Sequence, residues 1–133
     1  SVYEINLFSL VIEMLKERGI LDKIIDKEPD LSKEKLYKTL QGAIDAQKYL
    51  IPKIEEINSS NHSNIVFLTG IGQVYPFIRS HSVLNNLQNS IKDRPTVMFF
   101  PGIYDGTSLS LFGKLKDDNY YRAFNLETIN LVK

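Results

Sequence analysis

The chain has 133 residues, enough for one domain with one core. It is 43% hydrophobic and 24% charged, with zero formal net charge, so no overall field draws it to nucleic acid or an anionic membrane. It has no cysteine, which excludes disulfides, thiolate zinc sites and cysteine nucleophiles and fits a cytoplasmic protein.

No apolar run approaches the roughly 20 residues a membrane helix needs; none is longer than Ile65 to Leu68. The chain opens at Ser1 almost directly in a β-like run, with neither an initiator Met nor a charged-then-apolar leader. It reads as a piece excised from a longer protein.

Residues 2–7 alternate apolar and polar and predict a strand. Phe8, Leu10, Val11, Met14 and Leu15 then recur at helical spacing, with Gly19 as the stop. Residues 20–25 suggest another helical turn, broken at Glu28-Pro29-Asp30. A helix opens at Asp30 or Ser32 and carries Leu36, Tyr37, Leu40, Ala43 and Ile44. It is expected to continue past Gly42 to Tyr49 and Leu50, with a further short helix over 52–57. Residues 59–63 form a polar loop.

Residues 64–69 are a nearly continuous apolar strand of the kind buried on both faces of a parallel sheet. A helix is predicted over 76–88, then a second buried strand over 95–100 ending in a turn at Pro101-Gly102. Leu109, Leu111 and Phe112 pack a short element, and residues 121–126 are a weaker strand candidate. Strand, helix, strand, helix, strand implies βαβ units. The expected fold is a single α/β domain over 1–133. It is Rossmann-like, in three α/β/α layers around a small, mainly parallel sheet. The loops after Thr69 and Phe100 should meet at the carboxyl ends of the strands, where such folds place their sites.

Four stretches carry a family signature. They are Val66 to His81 (VFLTGIGQVYPFIRSH), Leu84 to Gln88 (LNNLQ), Phe99 to Gly106 (FFPGIYDG) and Leu111 to Phe124 (LFGKLKDDNYYRAF). In content, order and spacing they resemble the BrxB family of BREX anti-phage defence systems. The resemblance covers essentially the whole chain as the C-terminal two-thirds of the family pattern. The family's N-terminal segment, which includes another strand, is absent. Self-association through a sheet edge exposed by that truncation is therefore an expectation. The resemblance implies a small core component without an established catalytic activity or cofactor. It also implies other BREX proteins as partners, foremost the PglZ-type component of the alkaline phosphatase superfamily. Neither nucleic-acid nor membrane contact is expected.

Several residues are candidates for chemistry in their own right. Gly70 and Gly72 stand between a strand and a helix, where backbone N–H groups cradle phosphates. The third glycine of a dinucleotide loop is replaced by Tyr75, and no Gly-Lys-Ser/Thr follows. The bland reading is a tight turn with both glycines at positive φ. Tyr75 and Arg79 are four apart and would share a helix face. There Arg79 either meets an anion or ties down a loop. His81, Asp105 and Ser108 match a hydrolytic triad in composition only, with no nucleophile elbow. Asp105, Asp117 and Asp118 are oxygen ligands in type, but they also stand in ordinary turn sequences, so no metal is assigned. His62 sits alone in a polar loop. Tyr104, Asp105, Tyr120, Tyr121 and Arg122 are the candidate interface, against the plainer reading of half-buried rings with hydroxyls at the rim. The leading functional reading is non-catalytic assembly or regulation, and the alternative is a degenerate nucleotide or phosphate sensor. A hydrolase comes third.

Overall fold

The computed structural model describes residues 1–106, 108–116 and 123–128. Strand β1, Val2–Asn6, runs straight into helix α1, Leu7–Glu17. The junction is capped by the Asn6 side chain, which accepts the Ser9 N–H at 3.0 Å. The helical spacing read from the sequence buries Leu7, Leu10, Val11, Met14 and Leu15. Gly19, at φ 68°, ends the helix with paired bonds from Gly19 N–H to Lys16 O and from Ile20 N–H to Leu15 O. Helix α2, Leu21–Lys27, passes into a single tight turn over Glu28–Asp30. Helix α3 is Lys33–Ala43, with the Ser32 hydroxyl capping Lys35 N–H.

Helix α3 does not continue to Leu50. It stops at Ile44, and the Asp45 carboxylate accepts the Lys48 N–H at 2.8 Å. A side chain that bonds the backbone N–H three residues on starts a helical segment rather than continuing one. A wide helical turn over Ala46–Leu50 follows and leads into α4, Ile51–Ser60, with Pro52 in its first turn. Ser59 and Ser60 therefore close α4, their hydroxyls donating to the carbonyls of Glu55 and Glu56.

Strand β2, Ile65–Thr69, is followed by a short helix α5, Ile71–Val74, and then by α6, Ser80–Ser90. The helix expected from Pro76 starts four residues late. The extended residue that precedes it is Arg79, at φ −99°, ψ 142°, in place of Tyr75. Strand β3 is Thr96–Met98. Gly102 is not the end of a turn but the first residue of β4, Gly102–Tyr104, in an antiparallel meander with β5, Leu109–Leu111, and β6, Leu115–Lys116. Leu109 and Leu111 are buried there, while Phe112 is 58% exposed. Of the weak strand candidate 121–126, Tyr121 and Arg122 lie outside the described residues. Residues 123–125 have no regular structure, and Leu126–Thr128 is a helical turn.

The main sheet has the order β1-β2-β3, both pairs parallel, so the α/β class and the mainly parallel sheet are as read. Ile5, Val66 and Leu68 share one face by register and are 4%, 2% and 0% exposed. They join α1, α4, α5 and α6 in one hydrophobic cluster. A sheet that adds strands in one direction through right-handed crossovers puts every crossover on the same face. The described helices accordingly supply a single layer. Of the three layers expected, the described residues build two.

Candidate functional site at the carboxyl ends of the strands

Because β2 and β3 are parallel, the segments after Thr69 and Phe100 emerge at the same end of the sheet, and they touch. A Cβ built on Gly72 would lie 2.8 Å from Pro101 Cγ and 3.5 Å from Phe112 Cζ. The Pro101 carbonyl in turn accepts the Phe112 N–H at 2.7 Å. Asn6, at the end of β1, completes this end, its Oδ1 2.9 Å from where a Cβ of Gly70 would be.

The two glycines have different reasons. Gly70 is left-handed at φ 77°, as a turn glycine should be. Gly72 has no positive φ; it lies inside α5 and is small because Pro101 and Phe112 close over it. The expectation of positive φ at both is thus corrected at Gly72. A Gly72→Asp substitution would disturb packing whether or not an anion binds nearby.

Tyr75 and Arg79 do come together, though across a turn and not along a helix face. Arg79 is the residue preceding α6, and its guanidinium carbon lies 5.7 Å from the Tyr75 ring centroid. Between them and the meander runs a cleft lined by Ile71, Ile78, Phe100, Leu109, Leu111 and Leu115. Tyr75, Arg79 and Ser80 add polar groups to this apolar lining.

The remaining candidates disperse. Asp105 accepts the backbone N–H of Ser108 at 2.7 Å and its hydroxyl at 3.2 Å, while Asp105 N–H reaches Ser108 O. This closes the β4–β5 connection as an Asp-initiated turn. The carboxylate thus takes the serine's own proton, where a triad would need that hydroxyl to face an imidazole. His81 is half-buried at the start of α6. No group of three or more metal-ligating side chains lies together among the described residues, and Asp117 and Asp118 fall outside them. Tyr104 is half-buried, its hydroxyl 3.0 Å from both Gly106 O and Ala123 O. Tyr120, Tyr121 and Arg122 also lie outside the described residues. No helix among the described residues is long and apolar enough to cross a membrane.

Sequence reading missed the exposed apolar side chains of the meander. Ile103 is 61% exposed, Phe112 58% and Leu115 44%. Ile103 Cδ1 is 3.5 Å from the Cβ position of Gly113, so the strand and the turn share a surface. The one available signal was Phe112-Gly113, an aromatic beside a glycine in a short apolar-flanked turn.

Residues 3–126 match the family model described as BREX protein BrxB. A BREX protein BrxB from Bacillus cereus (strain H3081.97) is 44% identical over 126 residues, covering 94% of this chain and 66% of the relative. A BREX protein BrxB from Escherichia coli O9:H4 (strain HS) is 35% identical over 122 residues, covering 92% of this chain and 60% of the relative. The chain therefore spans less than two thirds of the length of these relatives. No solved structure matches.

Proposed function

The chain belongs to the BrxB family of BREX proteins. From that premise we propose that it is a non-catalytic assembly or regulatory component of a BREX anti-phage defence complex, acting through protein–protein contacts. The observation that supports this reading is the exposure of Ile103 and Phe112 on the meander, with Leu115 on its other face beside Leu111. Large apolar side chains left in water on one small sheet favour a protein contact over solvent. Phe112 adds a second sign, because it holds a left-handed backbone at φ 55° that disfavours a bulky residue.

The partner we favour is the PglZ-type component. The alternative, a nucleotide or phosphate site at Gly70–Gly72, is the weaker reading, since Pro101 and Phe112 pack over Gly72. The deciding experiment is calorimetric titration of the full-length family protein against its cognate PglZ-type component, with the 133-residue chain in parallel. Micromolar or tighter binding, on the order of −8 kcal/mol, is expected. Absence of heat with both proteins would remove this partner and reopen the phosphate reading.

A further inference from the structure

Among the described residues, the helices lie on one face of the main sheet and leave the other without a helical layer, and that face carries mainly apolar side chains. By register it carries Val2, Glu4 and Asn6 from β1 and Ile65, Phe67 and Thr69 from β2, with Val97 from β3. Phe99 extends it. The Phe99 N–H continues the ladder to Leu68 O, and its ring stands edge-on to Phe67 with centroids 5.0 Å apart. Val2 is 53% exposed and Phe99 51%, against 0–4% for Ile5, Val66 and Leu68 on the helical face. Glu4, the one charge in the set, accepts the Thr69 hydroxyl at 2.7 Å. Parallel sheets are covered on both faces, because an apolar strand left half in water forfeits the burial that stabilises it.

We propose that this face is an internal surface of the complete protein, covered by a layer of the same polypeptide. That layer would be drawn from the third or more of their length that relatives carry beyond the matched span. The length is sufficient. The matched span is 66% and 60% of the two relatives, and the helical layer on the opposite face is itself built from helices of only 4 to 11 residues. A second copy is the poorer occupant, because stacking two such faces would bring two Glu4 carboxylates of like charge into one buried interface.

The absence of cysteine makes the proposal directly testable. A single thiol is placed at Phe99 (Phe99→Cys), with Val2→Cys as a second site, and Glu34→Cys on the exposed helical side as reference. The aligned positions are used in the full-length Bacillus cereus relative after removal of any native thiols. Maleimide labelling rates are then compared in the 133-residue chain and the full-length protein. In the short chain all three thiols should react at similar rates. In the full-length protein the two sheet-face thiols should slow more than tenfold relative to the reference. Equal rates in both proteins would overturn the proposal. So would protection of the short chain that grows with its concentration, since a second copy would then be the cover.

Discussion

Gly72 and Pro101 are packed so closely that a Cβ on Gly72 would lie 2.8 Å from the proline Cγ. This contact ties the segment after β2 to the segment after β3, and the proline ring has no flexible end to swing away. Gly72→Ala gains about 1 kcal/mol of helix propensity. It also overpacks a rigid neighbour, which costs about 1–3 kcal/mol. The overpacking should win, giving a net loss of up to about 2 kcal/mol. Thermal melting should show this as a fall of several degrees.

Gly42 makes the opposite case. It lies within α3, and nothing comes within 4 Å of the place its Cβ would occupy. Gly42→Ala should therefore raise stability by about 0.5–1 kcal/mol through helix propensity and a less flexible unfolded chain. Urea denaturation of the two alanine variants side by side should move the midpoint in opposite directions.

How much of this was legible in the sequence depended on whether the signal was local. The run Ile65 to Leu68 and the spacing of Leu10, Val11, Met14 and Leu15 dictate strand and helix by themselves, and both formed as read. The end of α3 was hidden because the apolar spacing runs on past Gly42 to Tyr49 and Leu50, while Asp45, the real start of the next turn, looks like an ordinary helix-face residue. The meander was missed because strands of two and three residues carry too little alternation to register. At the candidate site, Tyr75 and Arg79 were singled out by spacing and lie together, while Gly70 lies against Asn6. The exposure of Ile103 and Phe112 was beyond reach, because a side chain's burial is decided by what packs over it.

Arg18 joins three helical segments. Its guanidinium donates to the Ala43 carbonyl at the end of α3 and lies 3.7 Å from the Tyr49 ring centroid. The carbonyls of a last helical turn have no partner within their helix, so a cation there satisfies one of them. Lysine keeps the charge but loses the planar stacking. Arg18→Lys should cost about 0.5–1 kcal/mol, the range for an exposed cation–π contact. In a Tyr49→Leu background the same change should cost measurably less, and a double-mutant cycle by denaturation checks the difference.

Asp93 should shape the acid limb of stability. The hydrogen bond from Arg94, 2.7 Å from Nη2, holds its carboxyl below the usual value of 3.8, and the Asn58 amide adds to the effect. Burial works the other way but is outweighed. A group whose pKa is lowered by folding stabilises above its unfolded pKa and loses that contribution as pH falls through the folded value. Asp93→Asn should therefore melt below the parent at neutral pH. The gap should narrow as pH drops from about 4 toward 2. A gap that stayed constant across that range would mean Asp93 acts through packing and not through its charge.

Phe112 offers a variant that separates binding from folding. Phe112 (φ 55°) and Gly113 (φ 72°) are both left-handed, a conformation in which asparagine and glycine are at ease and a bulky L-residue costs about 1–2 kcal/mol. Phe112→Asn should recover part of that strain and lose the packing of a ring already 58% exposed. The two effects are of similar size, so stability should stay within about 1 kcal/mol of the parent. If the meander surface is the partner contact, the same variant should weaken binding at least tenfold, about 1.4 kcal/mol, as loss of an aromatic anchor does. Ile103→Ser should act in the same direction. Calorimetry against the PglZ-type component, together with melting curves, reads both quantities on one preparation. Unchanged affinity in a folded Phe112→Asn, Ile103→Ser double variant would move the interface off the meander and onto another surface of the domain.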